Sequence, residues 1–292
     1  YTVDYTTAGC TGTSNVTVTV EPTPQPTVTT DSVCVCSNGT LFVNNVSAGG
    51  TYLWSNGSTA ATLVDNPAAT TNYSVVFTSV NGCVSPSVSG TIVVKPYPVI
   101  TSANDTICFG SSTTLNTNVD LTGGTYAWAP LAATSASITV SPAATTTYTV
   151  IYNLLGCQDT TSATVLVNPI PVATTSNAVM CFGDVINLIA SANLPNGTFL
   201  WSTTETNDTI SISPASNTAY TVTYTLNNCT SPVATAQVTV NPIPVVTLNS
   251  ATICEADPVT ITATPDLLGG SFAWGPNSMQ RRSSSTGAAI VT

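Results

Sequence analysis

The chain has 292 residues, with 13 acidic and 3 basic side chains and a formal net charge of −10 at pH 7. This balance argues against nucleic-acid binding, because neutralising phosphates requires clustered Lys and Arg. His is absent, so no general acid–base set can be assembled and a Ser or Thr nucleophile would lack a base. No apolar run approaches the roughly 18 residues of a membrane span. We therefore expect a non-enzymatic protein with no cofactor, no metal site and no membrane span.

One sequence pattern recurs at a nearly constant interval along the whole chain. The tryptophans mark it most clearly, at Trp54, Trp128, Trp201 and Trp274. A cysteine precedes each tryptophan at one fixed spacing, at Cys34, Cys108, Cys181 and Cys254. A fixed period, here about 73 residues, is the signature of a repeat array, in which each repeat is one structural unit.

Proline pairs mark where one repeat ends and the next begins. Pro cannot donate to a sheet ladder, and alternating prolines favour extended, semi-rigid linkers. The pairs are Pro22/Pro24, Pro96/Pro98, Pro169/Pro171 and Pro242/Pro244. In chain order, we predict the closing strands of a repeat in residues 1–21, complete repeats in 22–95, 96–168 and 169–241, and the opening part of a repeat in 242–292.

Within a repeat, the hydrophobic period is two. Apolar and Thr positions mostly alternate in segments such as 137–140, 148–152 and 163–167, as in strands that are buried on one face. Short strands separated by Gly and Pro, six or seven in each repeat, predict a small immunoglobulin-like antiparallel β-sandwich. The predicted fold class is therefore all-β, a tandem array of such sandwiches with one module in each repeat.

The last repeat departs from this pattern. The segment after Trp274 lacks the strand and the proline that the other repeats have at this point. We expect residues 288–291 to supply that strand after a shift, with Arg281 and Arg282 in a solvated loop before it.

Aromatic residues two positions apart lie on one face of a strand. They recur as Tyr52/Trp54, Tyr126/Trp128, Phe199/Trp201 and Phe272/Trp274. An exposed platform that stacks on sugars and a buried sandwich core both fit this pattern. The same strand position in every repeat favours the core, so all four tryptophans are predicted core residues.

A second cysteine follows the first at a nearly constant spacing in the complete repeats, at Cys83, Cys157 and Cys229. The simplest assignment is one disulfide within each repeat, which pairs Cys34 with Cys83, Cys108 with Cys157, and Cys181 with Cys229. Closing a loop of this size contributes about 4 kcal/mol in the chain-entropy model. Such bonds persist in oxidising surroundings, so we expect the protein outside the cytoplasm. Cys36 is an extra thiol, since Gly stands at its position in the next two repeats.

Two cysteines remain, one in each incomplete repeat. Cys10 lies in the closing strands at 1–21, and Cys254 lies in the opening part at 242–292. Two interpretations stay open. In one, the chain is a window of a longer covalent array. In the other, chains join head to tail, each N-terminal hairpin completing a neighbour's open sandwich by strand donation, with Cys10 bonded to Cys254 of that neighbour. A heterologous contact of this kind generates a fibre.

Several short motifs together resemble a known family. They are residues 107–110 (ICFG), 126–128 (YAW), 138–142 (ITVSP), 147–150 (TYTV) and 156–157 (GC). The chain resembles, over essentially its whole length, the immunoglobulin-like (PKD-like) repeats of very long Bacteroidota surface proteins, found in gliding-motility adhesins exported by the type IX secretion system. The resemblance implies an extracellular, stalk-like or adhesive role at the bacterial cell surface, with adjacent repeats or copies of the chain as partners.

The sequence offers two possible roles for sugars, as groups attached to the chain and as ligands bound by it. Asp-Ser/Thr-apolar segments are similar to the O-glycosylation motif of that phylum, although chance in a Thr-rich chain explains them as well. The hydroxyls concerned are those of Ser32, Thr106, Thr160 and Thr209. The alternative to a structural role is a glycan-binding adhesion module that uses exposed aromatics such as Tyr97.

Overall fold

The computed structural model describes residues 1–254 and 258–274 and the backbone of 288–291. Every regular element in these ranges is a β-strand, in agreement with the predicted all-β class. The chain forms two units, Tyr1–Val167 and Asn168–Thr292, and each is described by itself. Arg281 and Arg282 lie outside the described residues.

The first unit opens with a hairpin of β1 (Thr2–Thr7) and β2 (Cys10–Asn15). The two strands pair antiparallel, from Thr2 opposite Asn15 to Thr7 opposite Cys10. They pair only with each other among the described strands. Both of their faces are exposed.

The first complete sandwich follows the hairpin. Its strands are β3 (Thr27–Val28), β4 (Asp31–Cys34), β5 (Gly39–Asn44), β6 (Thr51–Trp54), β7 (Thr62–Asp65), β8 (Thr71–Thr78) and β9 (Val88–Lys95). A three-stranded sheet in the order β3-β5-β7 faces a four-stranded sheet in the order β4-β9-β8-β6. Both sheets contribute to one core, for example Leu41 and Leu63 from the first and Trp54, Val75 and Ile92 from the second.

The second sandwich repeats this arrangement and ends the first unit. Its strands are β10 (Ile100–Ser102), β11 (Asp105–Cys108), β12 (Thr113–Val119), β13 (Thr125–Ala129), β14 (Ser137–Val140), β15 (Thr146–Leu154) and β16 (Cys157–Asn168). The sheet orders are β10-β12-β14 and β11-β16-β15-β13. Its core again combines both sheets, with Leu115 and Ile138 packed against Trp128 and Val150.

The second unit contains a third sandwich with the same topology. Its strands are β17 (Ala173–Thr175), β18 (Ala178–Cys181), β19 (Ile186–Ala192), β20 (Thr198–Trp201), β21 (Thr209–Ile212), β22 (Thr218–Leu226), β23 (Cys229–Thr230) and β24 (Ala234–Asn241). The sheets are β17-β19-β21 and β18-β24-β22-β20, with β23 paired to β22. A three-stranded sheet of β25 (Val246–Leu248), β26 (Val259–Pro265) and β27 (Ala288–Val291) follows. Residues 288–291 thus form the expected strand.

Trp54, Trp128 and Trp201 occupy the same place in the three cores, and each is 2% exposed. Neighbouring residues on the same strands, such as Leu53 and Leu200, point to solvent. This alternation is what a strand with one buried face requires. Trp274 is only half-buried.

The sandwiches depart from a purely antiparallel pattern at one strand. β4 runs parallel to β9, and β18 runs parallel to β24. In the first sandwich the chain crosses from one sheet to the other between β3 and β4 without reversing direction, so β4 lies alongside the last strand in parallel. The crossing passes close over Gly90, where a β-carbon would stand 2.4 Å from the carbonyl oxygen of Thr29.

Buried tyrosine hydroxyls fasten the loop that precedes the tryptophan strand. The Tyr152 hydroxyl accepts a hydrogen bond from the Gly124 N–H at 2.8 Å and donates one to the Leu121 carbonyl at 2.7 Å. Tyr224 makes the same two bonds in the third sandwich, with Gly197 and Leu194. Gly124 has no room for a β-carbon, which would stand 2.5 Å from the Asn153 carbonyl oxygen.

Replacing this hydroxyl should measurably weaken the second sandwich. Tyr152→Phe leaves the Gly124 N–H and the Leu121 carbonyl without their partner, and we expect a loss of about 1–3 kcal/mol of unfolding free energy. Hydrogen exchange at residues 121–126, followed by mass spectrometry, measures the change. Tyr97→Phe is the control, because Tyr97 is 46% exposed and surface changes stay within about 0.5 kcal/mol. Unchanged exchange in Tyr152→Phe would show that the two bonds do not hold the loop.

Candidate functional site at the junction between repeats

Three hairpins share one turn geometry, and we call them closing hairpins. They join β1 to β2, β15 to β16, and β22 to β23. Both turn residues have positive φ in each: Ala8 and Gly9, Leu155 and Gly156, and Asn227 and Asn228. Positive φ at both positions is the requirement of a type I′ turn, whose twist matches that of the strands. A cysteine follows each turn directly, namely Cys10, Cys157 and Cys229.

The closing turn of the first complete sandwich is longer. Cys83 lies in the loop between β8 and β9, where Ser79 donates its backbone N–H to the Cys83 carbonyl at 2.9 Å. The Cys83 N–H in turn reaches the Ser79 hydroxyl at 3.3 Å. This loop therefore serves as the closing hairpin of the first sandwich, with Cys83 in the place of Cys157.

In the three complete sandwiches, the tip of the closing hairpin lies beside the residue that precedes the linker prolines. The Lys95 ammonium lies against Gly156, 4.0 Å from where a β-carbon would stand. The Asn168 amide donates to the Asn227 carbonyl at 3.4 Å. At the first sandwich, the Glu21 carboxylate accepts a hydrogen bond from the Asn81 amide at 2.8 Å. It also lies 3.8 Å from the Cys83 sulfur. The same position makes this contact in all three cases, although it holds a carboxylate at Glu21, an ammonium at Lys95 and an amide at Asn168.

We call the first cysteine of a repeat its opening cysteine, and the cysteine that follows the closing turn its closing cysteine. The opening cysteine lies at the end of the sandwich opposite the closing hairpin. The parallel register places Cys34 opposite Lys95, and Cys181 opposite Asn241. The next backbone N–H then bonds to the same residue, Val35 to the Lys95 carbonyl at 2.9 Å and Phe182 to the Asn241 carbonyl at 2.8 Å. The opening cysteine therefore stands where the chain leaves for the following repeat.

The two kinds of cysteine meet across the junction. Cys34 of the first sandwich forms a disulfide with Cys157 of the second, with their Cα atoms 5.7 Å apart and a sequence separation of 123. Cys108 and Cys229 each take part in a disulfide as well. The Cys34–Cys157 bond joins the parallel edge strand β4 of one sandwich to the closing hairpin of the next.

This finding corrects the disulfides predicted within repeats. Cys83 and Cys181 are free thiols, so the Cys34–Cys83 and Cys181–Cys229 bonds do not form, and Cys157 is not bonded to Cys108. The reason is distance. Cys34 lies beside the end of β9 and Cys83 before its start, and the eight residues of β9 span about 23 Å at roughly 3.3 Å per residue. A disulfide requires Cα atoms within roughly 7 Å.

Cys10, Cys36 and Cys254 are exposed free thiols. Cys36 adopts a positive φ of 65° in the turn after β4, where glycines with positive φ, Gly110 and Gly183, occupy the equivalent positions. Among the described residues, no group of three or more His, Cys, Asp or Glu side chains is arranged to hold a metal ion. No helix in the same residues is long and apolar enough to cross a membrane.

The acidic residues before the suspected glycosylation positions have structural partners. Asp31 accepts the backbone N–H groups of Ser32 and Thr40, both at 2.7 Å. Asp159 likewise accepts those of Thr160 and Ile100. These bonds account for Asp31 and Asp159 without any modification of the following residue. The side chains of Ser32, Thr106 and Thr160 are exposed and that of Thr209 is half-buried.

The carboxyl groups whose pKa is shifted also make hydrogen bonds within a sandwich. The Tyr73 hydroxyl donates to Asp65 at 2.9 Å and lowers the pKa of that carboxyl. Burial, and then the same hydrogen bond, raises the pKa of Tyr73. A hydrogen bond from the Thr113 hydroxyl lowers the pKa of Asp105. Each bond links two strands that are consecutive along the chain but lie in different sheets of one sandwich.

No protein-family model and no curated protein matches the sequence. Solved structures similar to the chain include an I-band fragment from titin, at 10% identity and a TM-score of 0.42, covering 77% of this chain and 100% of that one. Extracellular domains 3–5 of Drosophila OTK match at 9% identity and a TM-score of 0.37, covering 74% and 96%. The N-terminal four Ig domains of a Dscam1 isoform match at 10% identity and a TM-score of 0.25, covering 82% and 79%.

The strand topology defines the class of protein. The sandwiches share a three-stranded sheet packed on a four-stranded one, to which the third sandwich adds the short strand β23. Repeated in tandem and linked by short proline-containing segments, they make the chain an array of immunoglobulin-like modules.

Proposed function

We propose that the chain is a non-enzymatic structural segment of a bacterial cell-surface fibre or adhesin stalk. The observation that supports this most directly is the Cys34–Cys157 bond between consecutive sandwiches. A disulfide inside a domain stabilises that domain. A disulfide between domains instead restricts how far they can bend or separate, and a load-bearing stalk needs this property.

The same bond supports an extracellular location. Structural disulfides persist in oxidising compartments and are rare in the cytosol. The surface of the chain is polar but almost uncharged, with charged residues at 5%. O-glycosylation at Ser32, Thr106, Thr160 or Thr209 would add solvation to such a surface. The sequence resemblance supports assignment to a Bacteroidota adhesin exported by type IX secretion.

The predicted boundaries remain part of this proposal. They are complete modules at 22–95, 96–168 and 169–241, with 1–21 and 242–292 as the two parts of a divided module. The exposed apolar residues support the division. Tyr1, Val3 and Tyr5 are 85%, 63% and 71% exposed. Their equivalents in the second sandwich, Tyr148, Val150 and Tyr152, are 5%, 0% and 1% exposed. The first hairpin therefore carries a core face that requires the rest of a sandwich to cover it.

Surface labelling of intact source cells tests the proposed function. An antibody raised against the chain should label projections outside the cell in electron micrographs, and protease added to intact cells should remove the signal. A cytoplasmic protease-resistant signal would contradict the proposal. A cytoplasmic marker protein, which must survive the same treatment, controls for cell lysis.

Glycan binding is the second candidate function. The observation that favours it is Tyr97, which is 46% exposed in the linker between the first two sandwiches and could stack on a sugar ring. A glycan array probed with the whole chain separates the two functions. Selective binding that Tyr97→Ala abolishes would support an adhesion module, and absence of selective binding would leave the structural role.

A further inference from the structure

The first junction shows how opening and closing cysteines combine. Cys34 ends an edge strand of one sandwich, and Cys157 follows the closing turn of the next. The bond therefore connects the opening cysteine of one module with the closing cysteine of the following module. Four free thiols occupy one or the other of these two positions. Cys181 and Cys254 are opening cysteines, and Cys10 and Cys83 are closing cysteines.

Cys181 reproduces the position of Cys34. It ends β18, lies opposite the last residue of β24 in parallel register, and has an exposed thiol. Beside it lies an open cleft of about 570 Å³, whose lining includes Phe182, Pro242 and Ile243. Phe182 and Ile243 are each more than half exposed. In the first junction the closing hairpin of the second sandwich occupies the corresponding end of the first.

Cys10 reproduces the position of Cys157. Its hairpin has the same two-residue turn, with φ of 48° and 81° at Ala8 and Gly9 against 55° and 94° at Leu155 and Gly156. The apolar face of its strands is uncovered, and Val16 and Val18 beyond β2 are exposed as well. The hairpin thus has the backbone geometry of a closing hairpin, but no other strands of a sandwich cover its apolar face.

We propose that the cleft at Cys181 binds the closing hairpin of a second copy of this chain, and that Cys10 of that copy forms a disulfide with Cys181. By the same rule, Cys83 of the second copy bonds to Cys254, so two disulfides hold each junction. This inference rests on the proposed stalk function and on the head-to-tail interpretation of the two incomplete repeats, and it names the covalent contacts of that assembly. It replaces the expected Cys10–Cys254 bond, which would join the opening and closing cysteines of one sandwich across the length of a strand.

Contacts already present at the other end of the chain agree with this placement. The Glu21 carboxylate holds the loop that contains Cys83, through the Asn81 amide at 2.8 Å. Glu21 is the equivalent of Lys95, since each immediately precedes a linker proline pair. Lys95 lies opposite Cys34. Cys83 is therefore fixed at the point where a preceding sandwich would present its opening cysteine.

Each bond forms by oxidation of two thiols. Cys10 and Cys181 lose two protons and two electrons as their sulfur atoms join. A small-molecule disulfide such as oxidised glutathione accepts them and leaves as two glutathione thiols. Formation therefore requires the oxidising surroundings that the Cys34–Cys157 bond already implies.

Assembly of the whole chain in a glutathione redox buffer tests the inference. A non-reducing denaturing gel should show a ladder in steps of the 29.8 kDa chain, which collapses to one band on reduction. Because the chain has only 3 basic residues, peptic rather than tryptic digestion is used before mass spectrometry. The digest should contain a peptide pair that links Cys10 to Cys181.

Three variants distinguish the possible bonds. Cys254→Ser should keep the ladder through Cys10–Cys181, whereas Cys181→Ser/Cys254→Ser should run as a single band. Cys36→Ser is the matched control and should leave the ladder unchanged, since Cys36 is an exposed thiol outside the two positions. A Cys10–Cys254 peptide pair, loss of the ladder in Cys254→Ser alone, or a monomer with free Cys10 would each overturn the inference. In those cases positive surface labelling of cells would still support the stalk function.

Discussion

Pulling the oxidised chain from its two ends should extend it less than pulling the reduced chain. The Cys34–Cys157 bond closes a covalent loop with a sequence separation of 123, and this bond carries force across the loop. Cys108 inside the loop and Cys229 beyond it each take part in a disulfide as well, so force also passes through those sulfur atoms. Reduction should then release roughly 400–440 Å of additional contour length, since an extended chain spans at most about 3.3–3.6 Å per residue. Single-molecule force spectroscopy in the presence and absence of a reductant measures this difference.

The variant in which Cys34, Cys108, Cys157 and Cys229 are all replaced by Ser provides the comparison. It should show the longer extension under both conditions, while Cys36→Ser should behave like the unmodified chain. An unmodified chain that extends equally in both conditions would show that the disulfides do not carry the load. The expected behaviour suits a stalk, because sandwiches could unfold under force while the disulfides limit how far the fibre lengthens.

The features that depend on local pattern could be predicted from the sequence. Alternation of period two predicts that Trp54 is buried and Leu53 is exposed, and both are found so. The strand at residues 288–291 was likewise predictable from its apolar composition. Such features depend only on which face of a strand a residue occupies.

The disulfide pairing could not be predicted in this way. In a repeat array, the cysteine spacing is equally regular whether a closing cysteine bonds to the opening cysteine of its own repeat or to that of the repeat before it. The choice depends on which end of the sandwich each cysteine occupies. That is set by the parallel placement of β4 beside β9, which a prediction of antiparallel sheets does not include.

The contact between the hairpin tip and the residue before the linker prolines could not be predicted from the sequence either. Glu21, Lys95 and Asn168 share no chemistry, so nothing in their residue types marks them as equivalent. What they share is a backbone position immediately before the linker prolines, and the turn geometry of the next sandwich brings its tip there. The one available signal was their constant position relative to the proline pairs.

Replacing Trp201 with Ala should unfold the third sandwich. Trp201 is 2% exposed, and its indole N–H donates to the Asn207 carbonyl at 3.0 Å. Removing a buried Trp side chain costs about 3–5 kcal/mol, which is comparable to the roughly 3–5 kcal/mol that a core of this size supplies. Hydrogen exchange with mass spectrometry should show lost protection throughout residues 186–241.

Leu200→Ala is the matched control for this change. Leu200 is the preceding residue of the same strand and is 54% exposed, so its truncation should alter stability by no more than about 0.5 kcal/mol. Protection in residues 100–154 reports on the second sandwich in both variants. In a tandem array each module has its own core and interacts only with its neighbours, so this protection should persist in Trp201→Ala. If it disappears as well, the modules unfold as one cooperative unit, and independent sandwiches joined by covalent staples are not the correct description of the chain.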